Sequence, residues 1–269
     1  MHSGQVVMKS NEYEKNGYFV IKNFIPEDEV KALRDVLVDF HGSWKIKNAD
    51  FYAEKAVNSA YITGREYLDE PQRKQLFSFI GSNKVMDVVA SVIKHRPAFM
   101  NTQLFFNPVN KDQNNYWHRD PQYHLSIAEQ KEALKGPSVV HFRIPLLDEP
   151  GIELVPGSHK NWDSQEEQDV RLENNQRKNH ESLSSGVITE LNAGDLLVFS
   201  ANMIHRGLYG LDRLALDILF CDSVPALLEF ADSDCLPNQD VLDGLENAEA
   251  FNNTLKIKNN SKAKQSTHG

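Results

Sequence analysis

Gly194-Asp195-Leu196-Leu197-Val198-Phe199-Ser200-Ala201-Asn202-Met203-Ile204-His205 reads as a short apolar strand that opens after a Gly-Asp turn and delivers a histidine just past its end. The same texture extends to both sides of it. β-Prone runs cover Phe99-Met100 with Gln103 to Phe106, Val139 to Leu147, Glu153 to Val155, Val187 to Leu191 and Leu214 to Phe220, with Pro, Gly, Asn and Asp clusters between them. Short strands punctuated by turns predict an antiparallel barrel or sandwich.

Upstream, Tyr18 to Ile21 with Asn23 to Ile25 reads as a strand that feeds a helix starting near Pro26, whose first turn carries Glu27, Asp28 and Glu29. A further helical segment is expected from about Pro71 to Ile93, with apolar residues mostly three or four apart. The segment Asn161 to Gly186 is polar and almost without apolar periodicity. A loop of that length is usually functional or mobile. The stretch from Asn252 to Gly269 is polar and basic, so disorder is expected there. The expected organisation is one domain over residues 1–251, with helical support at about 26–95, a β core at about 99–222 and the insert at 161–186.

The 269 residues carry 29 Lys and Arg against 38 Asp and Glu, a formal charge of -9, which argues against affinity for nucleic acid or anionic membranes and favours a small-molecule ligand. Cys221 and Cys235 form no CxxC pair, so neither a disulfide framework nor a thiolate metal site is expected. With no signal-like N-terminus and no long apolar run, a cytoplasmic protein that does not span a membrane is expected. Monomer and homodimer are both compatible with this reading.

In Tyr116-Trp117-His118-Arg119-Asp120, the histidine and the aspartate lie two residues apart, which on extended backbone turns both side chains to one face. His205 then adds a second imidazole from a distant strand. Two histidines and one carboxylate on one face of an octahedral ion leave positions open for a bidentate co-substrate and dioxygen, the arrangement of non-haem iron(II) oxygenases. A bare HxD pair arises by chance in many chains. Here it has company, because Arg213 heads the next apolar strand, and its planar guanidinium suits a bidentate grip on a carboxylate such as the far end of 2-oxoglutarate.

With these residues in place, the chain resembles the phytanoyl-CoA dioxygenase-like family of iron(II)/2-oxoglutarate oxygenases over roughly Asn11 to Asp222. The resemblance is carried by Lys15 to Phe24, by Gln103-Leu104-Phe105-Phe106-Asn107-Pro108, by Trp117 to Asp120, by Pro156-Gly157-Ser158-His159 and by Ala193 to Phe199. It implies a double-stranded β-helix, a cupin-like jelly roll, buttressed by helices. It further implies iron held by His118, Asp120 and His205, and 2-oxoglutarate held by Arg213. Arg213 follows His205 by only eight positions, so the turn Arg206 to Leu211 should be tight.

Gln103 and His159 match positions near the co-substrate in the family, although a solvent-facing strand end and a turn cap are open alternatives. Arg143 alternates with Phe142 and Ile144, so it takes the opposite face of its strand and, if it points into the cavity, needs an anion there, either 2-oxoglutarate or an acidic substrate. Tyr116, Tyr123, His124, Trp162 and Arg206 are candidates for substrate contact, and Trp162 with Arg171, Arg177 and Lys178 is a candidate lid over a polar substrate, a solvated surface loop being the open alternative. The implied reaction is hydroxylation of an unactivated C–H bond of a small polar metabolite or natural-product intermediate, with dioxygen consumed and succinate and carbon dioxide released. Asp120 favours hydroxylation over halogenation, since related halogenases replace that carboxylate with a small residue. Desaturation and ring closure stay open, as do a catalytically silent jelly-roll binding protein and an oxygen-independent cupin enzyme with a third histidine.

Overall fold

The structure is a computed structural model that describes residues 3–266, with side chains described over residues 9–261. In chain order the elements are α1 (Ser3–Asn16), β1 (Tyr18–Ile21), α2 (Glu27–Lys47), α3 (Ala49–Glu54), β2 (Asn58–Ala60), α4 (Glu70–Ile80), α5 (Asn83–Val92), β3 (Pro97–Phe106), α6 (Ile127–Ala133), β4 (Val139–Pro145), β5 (Glu149–Leu154), α7 (Gln165–Arg171), β6 (Val187–Leu191), β7 (Leu196–Ser200), β8 (His205–Gly207), β9 (Leu214–Asp222), α8 (Pro225–Leu228), α9 (Gln239–Leu242) and α10 (Glu249–Ser266). Six strands form one antiparallel sheet in the order β1-β7-β4-β9-β3-β2, and β6-β5-β8 form a second.

Strand alternation divides the large sheet into two chemically distinct faces. Phe142 and Ile144 of β4, Leu216, Ile218 and Phe220 of β9, and Leu196 and Val198 of β7 turn outward and pack with Leu33, Leu37 and Phe40 of α2 and with Val85 and Val89 of α5. The opposite face, toward the small sheet, carries His141 and Arg143 of β4, Asp217 of β9 and Gln103 of β3, which register across adjacent strands as Gln103↔Asp217↔Arg143. Toward the β1–β7 end of that inner face, Leu197 and Phe199 meet Ile152 and Leu154 of the small sheet in an apolar cluster. Apolar contact therefore joins the sheets at one edge, while the middle strands line the interior with polar groups.

Three expectations change. The helical segment over Pro71 to Ile93 is two helices, because Gly81 caps the end of α4 and Ser82 caps the start of α5. The insert at 161–186 is tied into the fold. Ser164 and Glu167 form a capping box on α7, and Val170 and Leu183 bury against Trp117, Val155 and Ile204. The disorder expected from Asn252 is corrected over residues 252–266, which continue α10. Phe251 is buried, and the Thr254 hydroxyl donates to the Phe99 carbonyl at 2.7 Å, docking the helix on β3. Among the described residues, no helix is long and apolar enough to cross a membrane.

Candidate metal centre

His118 lies outside the named strands but forms an antiparallel bridge with His205. Each backbone N–H donates to the other's carbonyl, at 3.0 Å from His118 and 2.9 Å from His205. The bridge brings the two imidazoles together, with ring centres 4.2 Å apart. Arg119 is extended, with φ -114° and ψ 137°, so His118 and Asp120 share a face as the HxD spacing predicted. Asp120 Oδ1 is 3.5 Å from His118 Nε2 and 3.6 Å from His205 Nε2, and one ligand atom from each residue falls within 4.8 Å of the others.

Both rings are turned by backbone carbonyls. His118 Nδ1 lies 3.1 Å from the Tyr116 carbonyl, and His205 Nδ1 lies 3.0 Å from that of Met203. A carbonyl only accepts, so Nδ1–H must donate and each Nε2 is left as a lone-pair donor toward the shared space. Burial, then the neighbouring His118, pulls the His205 pKa down to about 3, which keeps that imidazole in its neutral, metal-binding form.

Arg119 faces the other way and is fully used. Its Nε and Nη2 donate to Asp163 Oδ1, Nη1 donates to the carbonyls of Ser158 and Asn202, and Nη2 donates also to that of Asn161. The residue between His118 and Asp120 is thereby fastened to the insert and to the segment leading into His205.

Asp120 is held from behind. Its Oδ2 lies 2.6 Å from His141 Nε2, and His141 Nδ1 lies 3.2 Å from Asp217 Oδ2. Burial alone would lower the His141 pKa, but the carboxylates Asp120 and Asp217 on its two sides outweigh it and push the value up to about 9. The Asp120 pKa is well below the usual carboxylate range; burial opposes that shift, and His141, His118 and His205 overcome it.

The polar ladder continues along the inner face to Arg213. Arg143 Nη1 is 3.7 Å from Asp217 Oδ2, and Arg143 Nε and Nη2 donate to the two oxygens of Glu149 at 2.9 and 3.1 Å. Glu149 Oε2 is in turn 3.5 Å from Arg213 Nε, an ion pair without hydrogen-bond geometry. Arg213 is 4% exposed, and its Nε has no hydrogen-bond partner. Burial and the nearby charge of Arg143 lower the Arg213 pKa to about 10. The turn before it is tight, as expected from the short spacing: Gly210 and Leu211 both have positive φ, 134° and 50°. Gly207 makes room for the guanidinium, since a Cβ there would come within 2.4 Å of Arg213 Nη2.

The sequence model of the phytanoyl-CoA dioxygenase (PhyH) family matches residues 13–208, a span that includes all three residues of the triad. The chain belongs to the phytanoyl-CoA dioxygenase family. Arg213 lies just beyond the matched span of this PhyH chain. Comparison with curated proteins by sequence gives no match.

Several solved structures share the fold. EctD from S. alaskensis, with 2-oxoglutarate and 5-hydroxyectoine, is 14% identical with a TM-score of 0.60, covering 83% of this chain and 77% of that one. AviO1 from Streptomyces viridochromogenes Tue57 is 17% identical with a TM-score of 0.57, covering 80% and 94%. HygX from Streptomyces hygroscopicus, with nickel and 2-oxoglutarate bound, is 15% identical with a TM-score of 0.56, covering 80% and 86%.

The remaining candidates in this PhyH chain fall into two groups. Tyr116 and Tyr123 stand beside the metal triad, with ring centres 5.3 and 5.6 Å from that of His118 and their hydroxyls hydrogen-bonded at 2.7 Å. His124 lies next along the chain and packs on Phe230. Gln103 is on the inner face and makes no side-chain hydrogen bond among the described residues. The others, except His159, have found partners within the protein. The anion that Arg143 needs is Glu149, with Asp217 behind it, so no bound ligand is required to neutralise it. Arg206 is on the far side of β8, where it pairs with Glu153 at 2.7 Å and stacks on Trp117. Trp162 is ringed by Arg119, Lys131 and Arg171 at 5.0 to 5.5 Å, and Arg171 is itself buried against Asp163. His159 packs beside Tyr13 and Gly17 with neither ring nitrogen hydrogen-bonded.

His141, Asp217 and Glu149 were not singled out from the sequence. The available signals were the alternation of His141 with Arg143 and the one charge, Asp217, within the apolar run Leu214 to Phe220.

Proposed function

We propose that this chain is a non-haem iron(II) and 2-oxoglutarate-dependent dioxygenase that hydroxylates a C–H bond of a small polar molecule and releases succinate and carbon dioxide. The observation that carries the reading is a pair of Nε2 atoms and a carboxylate that converge on one space, connected by one buried ladder to a guanidinium with an unsatisfied Nε. Two imidazoles and one carboxylate suit iron(II) and leave positions open for a chelating co-substrate. A buried guanidinium short of hydrogen bonds suits a dicarboxylic acid. The 2-oxoglutarate held by EctD and HygX supports the same assignment. The two antiparallel sheets are taken as the halves of a double-stranded β-helix.

When bound, iron(II), 2-oxoglutarate and dioxygen together supply the oxidising chemistry. The chain's own residues do the rest. Arg213 orients the remote carboxylate of the co-substrate and thereby its chelating end. His118 and His205, each locked by a backbone carbonyl, would hold the ion through Nε2. Asp120 would balance part of its charge, and a carboxylate here favours hydroxylation over halogenation. Tyr116 and Tyr123 offer aromatic faces and hydroxyls at the rim, which suits a small molecule with both polar groups and exposed carbon. Both cysteines are free and buried, consistent with a reducing compartment such as the cytoplasm.

The test is anaerobic addition of iron(II) and 2-oxoglutarate to the metal-free protein. A weak visible charge-transfer band is the expected result. Metal binding to folded protein without such a band would overturn the assignment and favour a silent binding protein. Screening candidate metabolites for stimulated succinate formation then finds the substrate, and the mass of the product separates hydroxylation from desaturation or ring closure.

A further inference from the structure

A third histidine lies behind the triad, and its geometry gives it a role distinct from ligation. His141 is buried on β4, stacked on its cross-strand neighbour Phe199 with ring centres 4.5 Å apart and planes within 11°. One nitrogen meets Asp120 Oδ2 and the other meets Asp217 Oδ2. His141 is not among the residues whose ligand atoms lie mutually within 4.8 Å. Asp120 therefore has its two oxygens divided: Oδ1 is the one near His118 and His205, and Oδ2 is occupied by the imidazole.

From this division we infer that His141 is a positioning residue of the metal centre. It donates from Nε2 to Asp120 Oδ2, so that the carboxylate presents Oδ1 alone to the ion, and Asp217 fixes the ring from behind. Three features make the arrangement rigid. The Phe199 stack sets the ring plane, Asp217 sets its rotation, and Arg143 steadies Asp217 through the contact at 3.7 Å. A carboxylate free to rotate could bind through both oxygens and take up a position that a co-substrate needs. One held by a hydrogen bond on its second oxygen is kept to a single bond. Partners of this kind, which touch a ligand and not the ion, commonly change metal affinity by roughly 10- to 100-fold when lost. The inference rests on the triad being a metal site, as proposed above.

The experiment is anaerobic titration of the metal-free full chain with cobalt(II), followed by calorimetry and visible absorption. The chains compared are wild type, His118→Ala, His141→Phe and His141→Gln. Phenylalanine keeps an aromatic ring against Phe199 and removes the donor, whereas glutamine restores an N–H. The expected result is about a tenfold or larger loss of affinity with an altered cobalt spectrum for His141→Phe, and substantial recovery of both for His141→Gln. If His141→Phe binds cobalt(II) within about twofold of wild type with an unchanged spectrum, while His118→Ala loses binding, the positioning role is wrong and the metal site stands. If wild type and His118→Ala behave alike, the metal site itself is wrong and the inference falls with it. Should His141→Phe not fold, nitrogen NMR of zinc-loaded wild type decides. A His141 Nε2 that keeps its proton beside bound zinc supports the inference, and a metal-bound Nε2 overturns it.

Discussion

Asp163 Oδ1 accepts two hydrogen bonds from Arg119, at 3.0 Å from Nε and 2.9 Å from Nη2, so a residue of the polar insert anchors the residue between His118 and Asp120. The other oxygen of Asp163 takes Arg171 Nε at 2.8 Å. One buried carboxylate thus serves two buried guanidiniums. Removing its charge strands both, and breaking buried pairs of this kind costs about 3–5 kcal/mol. Asp163→Asn is therefore expected to lower the unfolding free energy by an amount in that range, measured by urea denaturation. A loss under about 1 kcal/mol, as for an exposed pair, would count against this anchoring.

Arg213 and Gly207 should fail in the same way. Arg213→Met removes the guanidinium, while Gly207→Ala leaves it in place but pushes a methyl toward Nη2. Hydrogen bonds to charged groups contribute about 1.5–3 kcal/mol, so each variant should weaken 2-oxoglutarate binding by about tenfold or more. Metal affinity, which the proposed function assigns to His118, Asp120 and His205, should change little. Calorimetric titration of each chain with metal and then with 2-oxoglutarate checks this, and equal losses in the two titrations would remove Arg213 from the co-substrate site.

Acid should destabilise the metal-free protein through His41 and His159. Burial is the main cause that lowers both to about 4, with Lys45 adding to it at His41 and Lys160 at His159. Their unfolded values are near 6.5. Between those values the unfolded chain binds protons that the folded chain does not, so stability falls as pH drops from about 6.5 toward about 4. His41 packs against Phe106 with ring centres 4.4 Å apart and leaves Nδ1 buried without a partner. His41→Phe should flatten the fall in melting temperature across that window, and a pH profile parallel to wild type would show that His41 does not contribute.

Phe251 tests the docking of α10. Its ring lies 4.8 Å from that of Phe99 and 5.6 Å edge-on to that of Phe77, so one side chain joins α10, β3 and α4. Truncating a fully buried phenylalanine costs about 3–5 kcal/mol. Phe251→Ala should show that loss in chemical denaturation. A change near zero would mean that the C-terminal helix packs on a core already complete without it.

Local information carried much of this protein. Period-two alternation placed Arg143 opposite Phe142 and Ile144, the i and i+2 spacing put His118 and Asp120 on one face, and the eight-position step from His205 to Arg213 required the tight turn that Gly210 and Leu211 make. Motifs in order carried the family. These features depend on backbone geometry within a few residues, which a chain read in one dimension retains. The partners did not. Whether Arg143 faced a ligand or a protein anion depended on Glu149, six residues away across a strand connection, and the hold on Asp120 came from His141 on a different strand, itself steadied by Asp217 on a third. The helical end of the chain was hidden for a similar reason. Residues 252–266 are polar overall, yet α10 is docked by scattered contacts that include buried Phe251 and Thr254 bonded to the Phe99 carbonyl. The triad itself was legible in the sequence. What holds its carboxylate in one orientation was set only when the sheet brought β4 and β9 behind Asp120.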